Sequence, residues 1–149
     1  MFLKDIIEKE RFSFHEGFDD YKEAIKVACD TLVQQGAVKD IYVDEIYKKI
    51  DDLGPYIVIA PGICIPHAQE GFGVNETCMS FMNTQNPVHF SDDPDQDANL
   101  FFVLASENND KHLENLMELS DLLGNDEAVE MLKKATSKED LLKVLEKIG

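Results

Sequence analysis

The order of the predicted elements constrains the fold of this chain more than any other feature of the sequence. Short apolar runs rich in β-branched and aromatic residues lie in the middle of the chain, over residues 56–60, 77–84 and 99–105, and such runs are typical of strands. Segments with helical periodicity precede and follow them. Helices on both sides of a central group of strands predict an α/β sandwich, in which one mixed β-sheet is flanked by helices. A chain of 149 residues is expected to form one domain.

Weaker signals complete this outline of elements. Helices are predicted over residues 3–10, from Asp19 or Asp20 to Gly36, and over 43–52, 111–123, 127–134 and 138–148. Ser137 and Asp140 are expected to form a capping box at the start of the last helix. Two short strands are predicted at 11–15 and 88–90, and the segments 61–73 and 91–97 are predicted to be loops.

The charge of the chain excludes several classes of partner. Thirty Asp and Glu side chains face fourteen Lys and Arg, which gives a net charge of −16. Nucleic acids and anionic membrane surfaces are bound chiefly through Lys and Arg, so no nucleic-acid partner is expected. A basic protein partner would be attracted by the overall field, although the acidity is explained equally well by solubility alone.

The sequence also bears on the compartment. No apolar run approaches the roughly 20 residues of a membrane span, so direct membrane insertion is not expected. The three cysteines are odd in number and have no framework spacing. We therefore expect a reduced, cytoplasmic protein.

His67 is the first candidate for chemistry, because it follows a proline at the end of a strand-like run. Pro66 fixes its own φ and restricts Ile65 to extended geometry, so the loop should present the imidazole from a stiff backbone. A phosphoryl acceptor needs an unprotonated ring nitrogen at neutral pH, and histidine supplies one. An ordinary polar loop residue is the alternative interpretation.

His112 is the second candidate. It is predicted in the first turn of a helix that Asn108, Asn109 or Asp110 would cap. The N–H groups and positive dipole end of a helix N-terminus suit an incoming phosphoryl group. The same dipole disfavours an imidazolium, so His112 would act as a neutral hydrogen-bond donor. The alternative is a partly buried histidine whose ring bonds to a nearby carbonyl.

No metal or cofactor is expected from these residues. Cys64 lies three residues before His67, but with His112 the set still lacks a fourth zinc ligand. Cys64 is therefore interpreted as a small buried side chain. The acidic segment 91–97 lacks the glycine and the terminal glutamate of an EF-hand loop.

One stretch of the sequence resembles a known family. The run GPYIVIAPG, followed by I-x-I-P-H ending at His67, is similar to the IIA components of the mannitol–fructose phosphotransferase superfamily, and most similar to the ascorbate-type branch. The later N-P-V-x-F motif, the strand over 99–105 and His112 also fall at the family's positions, so the resemblance covers nearly the whole chain. It implies a single IIA-type domain over residues 1–149 with the mannitol-type IIA fold.

The resemblance also implies a function. The protein would be a phosphotransferase with a phosphohistidine intermediate: His67 would accept a phosphoryl group from the carrier protein HPr, and His112 would stabilise that group. A cysteine of a cognate IIB protein or domain would receive it, while the membrane IIC permease imports ascorbate or a related sugar or polyol. Asp51 stands where the mannitol branch has an arginine, and Cys64 stands where the family usually has alanine.

Two other functions remain open at this point. Some relatives of this domain are phosphorylation-dependent regulatory modules whose output is binding to another protein. A hydrolase with His67 as its base is disfavoured, because no nucleophilic serine or suitable pair of carboxylates lies beside it in the sequence.

The resemblance further implies a docking surface. HPr-type carriers present their histidine on a surface with an apolar centre and a positive surround. We therefore expect an apolar collar around His67, built from Ile63, Ile65 and Phe72, with carboxylates at its outer rim.

Overall fold

The computed structural model describes residues 2–148. Within that range the chain forms helices and strands in an order close to the predicted one. The helices are α1 (Phe2–Glu8), α2 (Tyr21–Gln34), α3 (Asp40–Leu53), α4 (Asn109–Leu123), α5 (Asp126–Lys134) and α6 (Lys138–Ile148). The strands are β1 (Phe12–His15), β2 (Val58–Ala60), β3 (Gly62–Cys64), β4 (Cys78–Val88) and β5 (Ala98–Ala105).

The strands form one mixed sheet in the order β1-β4-β5-β3-β2. β1 runs parallel to β4 and β3 runs parallel to β5, whereas the β4–β5 and β2–β3 pairs are antiparallel. Helices cover both faces of the sheet. The predicted α/β fold with a mixed sheet flanked by helices is therefore confirmed.

Strand β5 shows why both faces must be covered. It is apolar at nearly every position, and its side chains alternate between two buried clusters. Phe101 and Val103 join the cluster under α2 and α3, while Phe102 and Leu104 join the cluster under α1, α5 and α6. Successive side chains of a strand point to opposite faces, so a strand of this kind can only be central.

The predicted helices agree well with the structure. Asp20 caps α2, because its side chain accepts a hydrogen bond from the Lys22 N–H at 3.0 Å. The buried face of α2 is the one predicted from the sequence: Ala24, Ile25, Ala28, Cys29 and Leu32. Helix α6 has the predicted bounds, and the Ser137 hydroxyl caps it by accepting from the Asp140 N–H at 3.3 Å.

The prediction of a buried strand over residues 56–60 is wrong. Strand β2 begins only at Val58, it lies at the edge of the sheet, and Ile59 within it is 52% exposed. The prediction of a loop from residue 61 onward is also wrong at its start, because Gly62 adopts φ +88° and the chain turns straight into β3. A tight hairpin thus replaces the predicted strand and loop.

The predicted strand at 88–90 is not a separate element. β4 runs from Cys78 to Val88 without a break, and its pairing with β5 becomes irregular between Asn83 and Val88. Pro87 has no backbone N–H to give to a ladder, which accounts for an irregular register at that point. The acidic segment contains a short 3₁₀ turn, Pro94–Gln96.

No helix in residues 2–148 combines the length and the apolar character needed to cross a membrane.

Candidate functional site

The topology of the sheet brings His67 and His112 together. His67 follows β3, and His112 follows β5 by way of the first turn of α4. Because β3 and β5 are parallel neighbours, their carboxyl ends meet at one edge of the sheet, where open α/β sheets commonly place functional groups. The two imidazole rings lie with their centroids 5.7 Å apart. The two candidates from the sequence therefore form one site.

The loop that carries His67 is anchored through its backbone. The Ile65 N–H donates to the Ile57 carbonyl at 2.8 Å, and the Pro66 carbonyl accepts from the Leu104 N–H at 3.0 Å. These bonds tie the loop to β5 on one side and to the turn before β2 on the other. Pro66 and Ile65 therefore act here as parts of a fixed support.

Two tyrosine hydroxyls complete that support. Tyr42 on α3 is fully buried; its hydroxyl donates to the Leu104 carbonyl at 2.6 Å and accepts from the Ala68 N–H at 3.0 Å. The Tyr56 hydroxyl donates to the carbonyl of His67 itself, and its ring meets the His67 ring edge-on with centroids 5.3 Å apart. Burial raises the pKa of Tyr56 to about 12, so the hydroxyl remains a donor at neutral pH.

One hydrogen bond fixes the tautomer of His67. Its Nδ1 lies 2.6 Å from the Ile65 carbonyl oxygen. A carbonyl can only accept, so Nδ1 carries the hydrogen and donates it. In the neutral ring Nε2 then holds a free lone pair, which is the nucleophilic form of imidazole.

The surroundings of His67 favour its neutral state. Burial lowers its pKa below the ordinary value, and the nearby His112 and Lys49 act in the same direction. The hydrogen bond to Ile65 and the Glu70 carboxylate act in the opposite direction but do not reverse the shift. The ring is therefore unprotonated at neutral pH.

His112 lies where the sequence predicted, at the fourth residue of α4. Asn108 caps this helix, with its side chain accepting from the Lys111 N–H at 2.9 Å. His112 Nδ1 lies 3.4 Å from the Ser106 hydroxyl, and its Nε2 lies 3.8 Å from a carboxylate oxygen of Glu70. This arrangement favours the tautomer in which Nδ1 accepts from Ser106 and Nε2 carries the hydrogen. The alternative considered for His112 was a ring bonded to a backbone carbonyl. The groups beside the ring are instead the Ser106 hydroxyl and the Glu70 carboxylate.

The expected apolar collar is only partly correct. Ile63 and Ile65 are buried in the core cluster under α1, α5 and α6, so neither can contact a partner. Phe72 is exposed, as expected. Two further exposed apolar side chains lie on α4, the helix that carries His112: Leu113 is 51% and Met117 is 71% exposed. Position 63 lies in a strand and not in a loop, which is why Ile63 points into the core.

The weaker candidates have structural roles. Cys64 is fully buried, and burial raises the pKa of its thiol well above the usual range, so it is neither a thiolate ligand nor a nucleophile at neutral pH. Asp51 forms an ion pair with Lys22 at 3.7 Å. Among the residues that the structure describes, no three His, Cys, Asp or Glu side chains lie close enough to hold a metal ion.

Sequence reasoning missed several residues of this site. Tyr56 belongs to the GPY motif, and Glu70 follows His67 by three residues. Both could therefore have been found from sequence features that already pointed to the site. Tyr42 and Ser106 carried no signal, because only the packing of α3 and the turn after β5 brings them to the site.

Comparison with known proteins agrees with this architecture. The family model described as phosphoenolpyruvate-dependent sugar phosphotransferase system, EIIA 2, matches residues 5–148. The ascorbate-specific PTS system EIIA component of Escherichia coli K12 is 26% identical over 149 residues, which cover 99% of this chain and 97% of that protein. The mannitol-specific cryptic phosphotransferase enzyme IIA component of the same strain is 28% identical over 145 residues, which cover 97% of this chain and 98% of that protein. The solution structure of the E. coli mannitol-specific cryptic IIA superposes with a TM-score of 0.86 at 28% identity, covering 97% of this chain and 98% of that one.

Proposed function

The chain belongs to the phosphoenolpyruvate-dependent sugar phosphotransferase system EIIA 2 family, and on that premise we propose that it carries a phosphoryl group on His67. Residues 1–149 act as one cytoplasmic IIA domain. HPr donates the phosphoryl group, and a cysteine of a cognate IIB protein or domain receives it. The sugar that the IIC permease imports is ascorbate or a related sugar or polyol, since relatives with both ascorbate and mannitol names match the chain.

The short contact between His67 Nδ1 and the Ile65 carbonyl is the observation that carries this proposal. The Nδ1–H is committed to the Ile65 carbonyl at 2.6 Å, which leaves Nε2 as the acceptor atom. The Nε2 lone pair attacks phosphorus while the N–P bond of phospho-HPr breaks and its electron pair returns to the HPr imidazole. In the second step a IIB thiolate attacks phosphorus, and the bond to Nε2 breaks in turn. The carbonyl of Ile65 stabilises the positive charge that the His67 ring gains between these steps.

The site contributes mainly position and charge to this chemistry. The anchored loop keeps Nε2 in place, and the His112 Nε2–H can donate to a phosphoryl oxygen. Lys49 lies close enough for its charge to act on His67, so it also attracts the incoming phosphoryl group.

Phosphorylation with purified enzyme I, HPr and phosphoenolpyruvate tests the proposal. The wild-type chain should gain one phosphoryl group on His67, acid-labile and alkali-stable as phosphohistidine is. His67→Ala should gain none, whereas His89→Ala, a change at an exposed histidine, should label as the wild type does. Full labelling of His67→Ala would contradict the proposal.

The same assay tests the role of His112. His112→Ala should still accept the phosphoryl group but should transfer it to IIB about ten- to a hundredfold more slowly, which corresponds to about 1.5–3 kcal/mol for one charge-assisted hydrogen bond. Unchanged rates in both half-reactions would remove His112 from the mechanism. Labelling without transfer to any IIB protein would instead favour the regulatory function.

A further inference from the structure

Glu70 is a carboxylate placed where the proposed reaction brings negative charge. Its side chain is 31% exposed, and a carboxylate oxygen lies 3.8 Å from His112 Nε2. His112 in turn stacks obliquely against His67, with ring centroids 5.7 Å apart. A phosphoryl group on His67 Nε2 that accepts a hydrogen bond from His112 must therefore lie close to Glu70.

We propose that Glu70 raises the phosphoryl-transfer potential of His67, so that the phosphorylated protein gives up its phosphoryl group more readily. This inference rests on the proposed function, because it concerns the stability of phosphohistidine at that same site. A phosphoryl group brings between one and two negative charges at neutral pH, and a carboxylate beside it repels them. The repulsion destabilises the phosphorylated form. The attraction of Glu70 for the positive charge on the phosphorylated ring opposes it only weakly, because Glu70 has the smallest effect on the pKa of His67, whereas its carboxylate lies beside the hydrogen that the phosphoryl oxygen accepts.

The His112 N–H adds to this effect. In the free protein the Glu70 carboxylate lies opposite His112 Nε2 and interacts with the hydrogen on that atom. The phosphoryl oxygens compete for the same hydrogen, and when they take it Glu70 loses its favourable neighbour. Phosphorylation thus replaces an attraction at Glu70 with a repulsion.

The backbone around Glu70 restricts how far this residue can move away from His112. The Gly71 N–H donates to the Ser106 carbonyl at 2.8 Å, which ties the segment after Glu70 to the turn between β5 and α4. Gly71 has φ +81°, and a Cβ at this position would lie 3.2 Å from the Glu107 carbonyl oxygen. The positive φ and this close approach favour glycine at position 71, and a backbone movement that carried Glu70 away from His112 would break the bond to Ser106.

The equilibrium constant for transfer between HPr and this protein tests the proposal. Mixtures of phospho-HPr with wild type, Glu70→Gln or Glu70→Ala should be brought to equilibrium, and both phosphohistidines should be quantified by mass spectrometry. We expect both variants to shift the equilibrium by about three- to tenfold toward the phosphorylated IIA chain. The equilibrium constant depends only on the free energies of the two proteins, each phosphorylated or unphosphorylated and not bound to the other. Changes in how the two proteins dock therefore do not affect it.

Glu130→Gln is the matched control. It removes the same charge from an exposed position on α5, a helix that carries no residue of the site. The control should leave the equilibrium within about twofold of wild type. Equal constants for wild type and both Glu70 variants, or a shift toward phospho-HPr, would overturn this inference while leaving His67 as the carrier. A wild-type chain that accepts no phosphoryl group from HPr would overturn the proposed function, and this inference with it.

Discussion

At the scale of single residues, the neutral state of His67 follows from where its two ring nitrogens lie. Nδ1 donates to a carbonyl in its own loop, and half-burial disfavours a second proton on Nε2. The ring is prepared for nucleophilic attack before any partner arrives. A fully exposed histidine would be protonated for part of the time near neutral pH, and that fraction would be unreactive.

The lowered pKa of His67 can be measured directly. In ¹H–¹⁵N spectra of the imidazole rings, His67 should titrate at a lower pH than it does in the urea-unfolded chain. Because the folded pKa is lower, unfolding takes up a proton between the two pKa values. The free energy of unfolding should therefore lose a contribution as pH falls from the unfolded pKa toward the folded one.

His67→Ala serves as the control for this titration, since it removes the contribution while other groups continue to titrate. At neutral pH the spectrum of the wild-type chain should also show that His67 has a protonated Nδ1 and an unprotonated Nε2. A folded midpoint equal to or above the unfolded one, or the opposite tautomer, would contradict the interpretation of the site.

The sequence predicts some residues of the site and not others, for a physical reason. Pro66 and His67 are adjacent, so the stiff presentation of the imidazole is a local property that the sequence contains. His112 could be placed because helix capping and periodicity are local as well. The contacts of Glu70 and Ser106 with His112 depend on how a loop and a strand end meet in space, and no local pattern encodes that.

At the scale of elements, helix α3 supports the site from beneath. Tyr42 lies near the start of α3. Among the hydrogen bonds of the described residues, its hydroxyl is the only one that bonds both to β5 and to the loop that carries His67. It satisfies two buried backbone groups, the Leu104 carbonyl and the Ala68 N–H. Helix packing and loop geometry are thus coupled through one side chain.

Removing the Tyr42 hydroxyl should lower the free energy of unfolding more than removing the Tyr56 hydroxyl does. Tyr42→Phe leaves two buried backbone groups without a partner, so the free energy of unfolding should fall by about 2–4 kcal/mol. Tyr56→Phe frees only the His67 carbonyl, in a half-buried position that water can reach, and should cost about 1 kcal/mol or less. Urea denaturation of both variants measures the difference. Equal losses would mean that α3 does not brace the loop.

The β2–β3 hairpin shows where prediction of elements failed. The run after Pro55 is apolar enough to be a buried strand, yet it is divided by the turn at Pro61 and Gly62 into two strands of three residues each. Apolar content alone does not distinguish an edge strand with one covered face from a central strand. The helices were predicted well because each carries its own periodicity and cap.

At the scale of the whole molecule, the loop after His67 and helix α4 carry exposed apolar side chains, and α4 also carries exposed carboxylates. Phe72 lies in the loop tied to Ser106, and Leu113 and Met117 lie one helical turn apart on α4, on one side of the helix. We call these three side chains the docking face. Four exposed carboxylates of α4 flank Leu113 and Met117 on one side: Asp110, Glu114, Glu118 and Asp121.

This face should determine how fast the chain meets HPr and how long the two remain together. Central apolar contacts govern the lifetime of a complex, whereas rim charges act on association and are screened by salt. Leu113→Asp and Met117→Asp should each lower kcat/KM for phosphorylation by HPr about five- to thirtyfold, or about 1–2 kcal/mol. Glu114→Gln should change it by about twofold or less. Stopped-flow or quench-flow transfer assays give these values.

Leu142→Asp is the control for the apolar substitutions, because Leu142 is comparably exposed but lies on α6. It should transfer at the wild-type rate. Raising the ionic strength should slow the wild type through the association step alone, since the net charge of −16 attracts a basic partner only while it is unscreened. If the α4 variants matched Leu142→Asp and the rate were independent of salt, HPr would have to approach His67 from the α3 side, where Ile41 is the exposed apolar residue that adjoins the Phe72 loop.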